Sequence, residues 1–267
     1  MKISVITPSY NQGKYIGKCI DSVLQSSHHD VEQIILDNCS TDETATVLRG
    51  FSAGLDTRIR IEIRPDEGQT ATINEGFLKA SGEVVAWLNT DEYYASDTLE
   101  NVSRYFDENP EVDIIFGDCI FVSSSGRLTK RRDSRAFNRN MLLYYGCYIP
   151  SCSTFFRKRI ITDGQLLDEQ YKICMDYEYY VRLSEKKYTF RYVRGLVSYF
   201  TWHGDNLSTK YRARRLEERA RVLNTHGGLA ICNGLRPIFF EMLRCYWIFR
   251  RQLASFDLLP ITNSNSP

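Results

Sequence analysis

Five apolar residues in unbroken succession, Val84-Val85-Ala86-Trp87-Leu88, constrain this chain most. A strand with one wet face alternates apolar and polar side chains. A continuous run of strand length belongs to a strand covered on both faces, as in parallel sheets wrapped by helices. The run passes through Asn89-Thr90 into paired carboxylates, Asp91 and Glu92. In an open α/β sheet the carboxyl ends of the strands are where ligands bind. Neighbouring oxygen ligands there suit a hard divalent cation carrying a phosphorylated substrate. The same residue types also make an ordinary solvated turn, so the pair needs support from the rest of the chain.

That support is an alternation of strand and helix signals. Ile3 to Thr7 reads as a strand, and the turn Pro8 to Gly13 leads into a helix over Tyr15 to Ser26, with Ile16, Cys19, Ile20, Val23 and Leu24 at helical spacing. Gln33 to Leu36 is a second strand, followed by a helix from about Glu43 to Phe51. Arg60 to Arg64 is a third strand, and Thr70 to Ala80 a helix that precedes the apolar run. Such alternation implies right-handed crossovers and a mostly parallel sheet.

Beyond the acidic pair, Ser96 to Glu108 suits a helix capped by Ser96, and Asp113 to Gly117 and Ile120 to Ser123 suit two strands. Ser124 to Asn138 is polar, has no hydrophobic period and reads as a mobile loop. Its Arg127, Lys130, Arg131, Arg132 and Arg135 suit a solvated loop or a substrate lid. Pro150 to Phe156 reads as a strand, Met175 to Glu185 as a helix, and Phe190 to Phe200 as one or two strands. From Lys210 the pattern becomes a charged helix, a break at Gly227-Gly228 and an aromatic, basic segment from Pro237 to Phe256.

With 267 residues, the chain can bury one full core and carry an appendage. A net charge of +1 advertises no nucleic-acid partner, so anion binding must be local. The 8 cysteines show no CxxC pair and no zinc-ligand spacing, which favours reduced, buried thiols and the cytoplasm. The amino-terminal apolar run is shorter than a signal-peptide core, and no apolar stretch reaches membrane-spanning length.

Taken in order, ITPSYN, LDNCSTDET, DEGQTATINEGFLKASGEVVAWLNTDEYY and MDYEYYVRL resemble the family 2 glycosyltransferases, from Ile3 to about Ser208. The resemblance implies the GT-A nucleotide-diphospho-sugar transferase fold, an α/β architecture with a mostly parallel central sheet flanked by helices. Its nucleotide-binding half would cover about 1–92 and its acceptor half about 93–208, before a C-terminal helical extension over 209–260 and a disordered tail over 261–267. It also implies a nucleotide-sugar donor, a divalent metal (manganese or magnesium) and transfer with inversion at the anomeric carbon.

Carried over by position, Pro8, Ser9 and Tyr10 would contact the nucleobase and ribose, with Tyr10 stacking. Asp37 and Asn38 stand where the family has an acidic pair. The Asn departs from that pattern and leaves uracil as the expected base. Gln69 and Asn74 fall in the donor segment. Asp91 would face the ribose or metal and Glu92 the metal and diphosphate, Glu92 being one methylene longer than the family's usual Asp. His203, in Thr201 to Ser208, would ligate the metal or touch the diphosphate, and Asp176 would be the catalytic base, with Glu178 the other candidate. Purely structural roles also fit these residue types: a core edge for Tyr10, helix caps for Asp37 and Asp176, a packed ring for His203.

The implied activity is an inverting, metal-assisted glycosyl transfer to a glycan or lipid-linked saccharide in bacterial surface polysaccharide or glycoconjugate synthesis. A non-catalytic nucleotide-sugar-binding or scaffold protein is the alternative. A sugar-nucleotide nucleotidyltransferase would carry a glycine-rich basic loop after the first strand, where ITPSYNQGKY has one Gly and one Lys. Arg residues interleave with Phe239, Phe240, Tyr246, Trp247 and Phe249 in the C-terminal segment. They suit a membrane interface at the inner face of the cytoplasmic membrane, a homodimer contact or packing on the chain's own domain.

Overall fold

In the computed structural model, residues 1–54, 56–144, 146–204 and 206–227 are described, with six further positions between 238 and 249. Pro237 to Phe256 and the tail Ile261 to Pro267 otherwise lie outside the described residues. So do the membrane, dimer and disorder expectations attached to them.

Four strands make the first half of the sheet: β1 (Ile3–Ser9), β2 (Val31–Asp37), β3 (Ile59–Ile63) and β4 (Val84–Trp87), parallel in the order β3-β2-β1-β4. Their crossovers are α1 (Gly13–Leu24), α2 (Thr44–Ala53) and α3 (Gln69–Lys79). Burial of Ile16, Cys19, Ile20 and Val23 gives α1 the single apolar face expected from its spacing. Gly76 lets α3 lie directly on β1, because a Cβ there would overlap the Ile6 side chain.

The apolar run is covered on both faces, as expected. Val85 and Trp87 pack with Phe77 and Phe156 on one side, while Val84, Ala86 and Leu88 pack with Leu99, Val102 and Phe106 on the other. Trp87 is fully buried, stacked on Phe156 at 5.6 Å and edge-on to Phe77 at 5.9 Å. Truncating such a side chain to Ala costs about 3–5 kcal/mol.

The second half follows different rules. β5 (Glu92–Tyr94) leads to α4 (Thr98–Glu108), then β6 (Ile114–Ser123), β7 (Leu128–Arg132), α5 (Arg139–Tyr144), β8 (Thr154–Arg157) and α6 (Lys158–Thr162). α7 (Met175–Glu185), β9 (Phe190–Trp202), α8 (Leu207–Lys210) and α9 (Arg212–Val222) complete it. β8 joins β4 and β6 antiparallel, β9 runs parallel to β6, and β5 pairs antiparallel with β9. The sheet is therefore mixed, parallel at one end and largely antiparallel at the other.

Several local expectations change. The two strands expected over 113–123 are one, bent by a register shift against β9 between Phe116 and Asp118, where a Cβ on Gly117 would overlap Leu196. The loop expected over 124–138 contains β7, paired with β6 and tied down by Arg131 to Asp118 (3.2 Å) and Asp133 (2.5 Å). Ser96 does not cap α4, which begins at Thr98 with the Thr98 hydroxyl donating to the Val197 carbonyl at 2.7 Å. The strand expected from Pro150 begins only at Thr154, after a 3-10 turn over Ser151–Ser153.

α9 is fastened to the body of the fold. The buried Glu218 carboxylate accepts the amides of Lys172, Ile173 and Cys174 at 2.8–3.0 Å, immediately before α7. Among the described residues no helix is long and apolar enough to cross a membrane.

Candidate active site

The register of the parallel strands assembles one wall. Ser9 pairs with Asp37 and Ile6 with Trp87, so the segments following β1, β2 and β4 emerge side by side at the carboxyl edge. They open onto a cavity of about 760 Å³. Pro8, Ser9, Tyr10, Asn38 and Gln69 line it, and Tyr10 is 58% exposed at its rim.

Asp37 stands behind this wall. It is buried, accepting the Ser9 hydroxyl (2.7 Å), the Ser40 hydroxyl (2.6 Å) and the Ser40 amide (2.9 Å), which makes it the clamp of the turn after β2. Asn38 Oδ1 accepts the Asp66 amide at 3.0 Å, and Gln69 donates to the Asn89 side chain at 2.6 Å.

Asn74, expected in the donor site, is elsewhere. Its amide brackets the Leu167 backbone, donating to the carbonyl (3.0 Å) and accepting the N–H (2.8 Å), and so staples α3 to the segment before α7.

Asp91 has its Oδ2 3.2 Å from His203 Nε2 and accepts Asn206 Nδ2 at 2.9 Å. Tyr15 stacks on the His203 ring at 4.7 Å and fixes its plane. Glu92 does not stand beside Asp91 as a matching ligand. It is 2% exposed, and its Oε2 accepts the Asn89 amide at 2.8 Å, which closes the turn that presents Asp91. Burial, with Cys152 and Asp91 close by, pushes its carboxyl well above the usual range. Among the described residues no group of three or more His, Cys, Asp or Glu side chains is placed to hold a metal. The Asp91–His203 pair offers one oxygen and one nitrogen donor.

A second wall carries Asp176, in the first turn of α7. It accepts the Tyr177 amide at 2.7 Å and lies 3.7 Å from Cys147 Sγ. Burial raises its carboxyl above the ordinary value, against the opposing pull of that amide, Arg132 and Cys147. Glu178, the other acid of this first turn, is not among the residues that line the cavity. Two residues on, it points to another face of the helix, where the Arg182 guanidinium donates to it at 2.7 and 3.0 Å and His226 lies 3.4 Å away.

The remaining lining includes groups the sequence did not single out as site residues: Phe121, Phe200 and Trp202, mutually in contact at 5.3–6.2 Å, and the cations Lys172, Arg215 and Arg219. Trp202 keeps 48% of its surface exposed. Period-2 aromatics in Phe200 to Trp202 were the available signal for the first set. For Arg215 and Arg219 there was none, since α9 reads as a charged helix throughout.

The family model "Glycosyl transferase family 2" matches residues 4–164. A glycosyltransferase of Mycobacterium bovis, described as acting in PGL/p-HBAD biosynthesis, is 27% identical over 203 residues, which is 75% of this chain and 77% of that one. A Nostoc glycosyltransferase is 34% identical over a shorter match of 115 residues, which spans 43% of this chain and 36% of that one. Among solved structures, S. aureus TarS 1-349 in complex with UDP-GlcNAc superposes with a TM-score of 0.64 at 20% identity, covering 88% of this chain and 75% of that one. The mannosyltransferase PcManGT from Pyrobaculum calidifontis, with GDP-Man and Mn2+, gives 0.65 at 16% identity, covering 84% and 63%.

Proposed function

The chain belongs to glycosyltransferase family 2 and has the GT-A fold, and from that premise we propose that it moves a sugar from a UDP-sugar to a hydroxyl of a glycan or lipid-linked saccharide, with inversion. One observation carries the reading: a cavity that holds the Asp91–His203 pair on one wall and a half-buried, raised carboxyl, Asp176, on another.

On the donor wall, Tyr10 offers an exposed ring for the base to stack on, and Asn38 an amide beside it. Uracil is favoured by the likeness to TarS, solved with UDP and with UDP-GlcNAc. Asp91 and His203 would hold a divalent metal, with Glu92 keeping the turn rather than ligating. A carboxylate and an imidazole together suit manganese at least as well as magnesium. When bound, the metal neutralises charge on the leaving diphosphate, Lewis-acid assistance that is worth several kcal/mol.

On the acceptor wall, Asp176 takes the proton from the attacking hydroxyl. That oxygen bonds to the anomeric carbon as the bond from the carbon to the diphosphate oxygen breaks, and the electron pair leaves with the nucleoside diphosphate. A carboxyl raised by burial is a stronger base than a solvated one at neutral pH. Phe121, Phe200 and Trp202 line the cavity with apolar surface that keeps water from the donor. The described cysteines are all free thiols, in keeping with a reducing compartment.

The test is direct. With manganese, a UDP-sugar should raise the melting temperature and release UDP, both effects vanishing in EDTA. Binding without release in the presence of any acceptor would leave a nucleotide-sugar-binding protein, and no response to any nucleotide would end the assignment.

A further inference from the structure

Among the cations that line the cavity, Lys172 on one side and Arg132 and Arg219 on another divide by position. Lys172 belongs to the donor side, its Nζ 3.9 Å from where a Cβ on Gly68 would stand, just before α3 and Gln69. Arg132 and Arg219 belong to the other wall. Arg132, at the end of β7, donates to the Cys147 carbonyl and exerts its charge on Asp176. Arg219 reaches the same loop from α9, 3.1 Å from where a Cβ on Gly146 would stand, and exerts its charge on Tyr177, the residue after Asp176.

Arg131, next door, is already neutralised by Asp118 and Asp133. Arg132 is half-buried in the cavity wall and, among the described residues, makes no ion pair. The carboxylate its charge reaches is Asp176, and a half-buried guanidinium beside a single carboxylate can still take an anionic ligand. A donor diphosphate would be met on the far wall, by the Asp91–His203 metal position and Lys172. Both guanidiniums line the cavity beside the base, where the second substrate would sit.

We propose that Arg132 and Arg219 form an anion subsite beside Asp176, and that the acceptor carries a phosphate or carboxylate next to the hydroxyl that is glycosylated. The inference rests on the reading of Asp176 as the base. Two guanidinium forks from separate elements match the oxygens of either group, and they orient the acceptor as well as hold it. Neutral saccharides of the same shape are then poor acceptors.

The experiment uses the full chain loaded with UDP and manganese, so that the donor pocket is closed to the probes. Methyl glucoside, its 6-phosphate and methyl glucuronide are titrated separately by calorimetry. A charged probe should bind at least about tenfold tighter than the neutral one, the gain of charge-assisted hydrogen bonds, and should weaken as salt rises. Preference for the phosphate alone assigns a phosphorylated acceptor, and preference for the glucuronide alone a uronic acid. Arg132→Gln should abolish the preference and leave UDP affinity intact, which also reports that the variant folds; Arg132→Lys should keep part of it. Equal binding of the three probes to the wild-type chain overturns the proposal, as does a charge preference that survives Arg132→Gln combined with Arg219→Gln. If UDP fails to bind, the donor reading falls, and the same titrations on the unloaded protein still decide the subsite.

Discussion

On the donor wall, Tyr10 lies one residue past β1, Asn38 one past β2 and Asp91 four past β4. On the acceptor wall, the chain around Asp176 is held by Glu218, 44 to 46 residues further on. One wall is written in consecutive residues and strand register. The other is assembled from a hairpin, a loop and a helix that meet only once the chain has folded. A local motif therefore points to the proposed donor wall and leaves most of the proposed acceptor wall hidden. The two walls should also fail separately when mutated.

The largest effect is expected at Asp91. Asp91→Asn removes the carboxylate of the proposed metal pair, and turnover should fall at least about a thousandfold, with manganese no longer strengthening nucleotide binding. Turnover within tenfold of wild type would remove Asp91 from the donor chemistry.

Tyr10→Ala comes next. Loss of base stacking should weaken UDP by about 1–3 kcal/mol and leave the melting temperature of the free protein unchanged, because the ring is exposed. An unaltered dissociation constant would make Tyr10 a bystander at the rim.

Glu218→Ala should act on the other wall alone. Burial pushes the Glu218 carboxyl up, but three backbone amides and Arg214 outweigh this and hold it below its usual range. Removing it orphans those amides at the start of α7, at a cost of about 2–4 kcal/mol in stability. Turnover should drop about tenfold at unchanged UDP affinity, through loss of aim in Asp176. Because the folded carboxyl is depressed, the tether is intact above the ordinary carboxylate range and is lost as pH falls through the folded value. Weakened UDP binding in this variant would show that the two walls are coupled.

The smallest effect is one of stability at Asp176. Its carboxyl is raised, so ionisation works against the fold: the cost is absent below the ordinary carboxylate range and complete above the raised value. Asp176→Asn should be at least as stable as wild type near about pH 8, with the margin shrinking toward about pH 4. A margin that grows on acidification would reverse the sign assigned to this burial.

The comparison also explains what could be read from the sequence. The apolar run into Asp91 fixed β4 and its turn, because a strand buried on both faces has no other pattern. Asn74 misled, because an amide inside a donor-like segment serves equally well to bracket a passing backbone. Glu92 lines the same cavity, yet its carboxylate closes the Asn89 turn, which the acidic pair in the sequence does not reveal. β7 was invisible: its residues LTKRR are exposed or nearly so, and only its pairing with β6 makes it a strand. Glu218 sits in the run RRLEERAR, where nothing local separates a buried clamp from a solvated charge.

The separation of the walls is tested most directly at the base itself, by measuring UDP affinity and single-turnover transfer on Asp176→Asn side by side. Asparagine keeps the size of the side chain and cannot take the acceptor's proton. Transfer should fall about a hundredfold or more while the UDP dissociation constant stays within about twofold of wild type. Transfer at the wild-type rate, or a loss of UDP affinity as large as the loss of rate, would contradict the account.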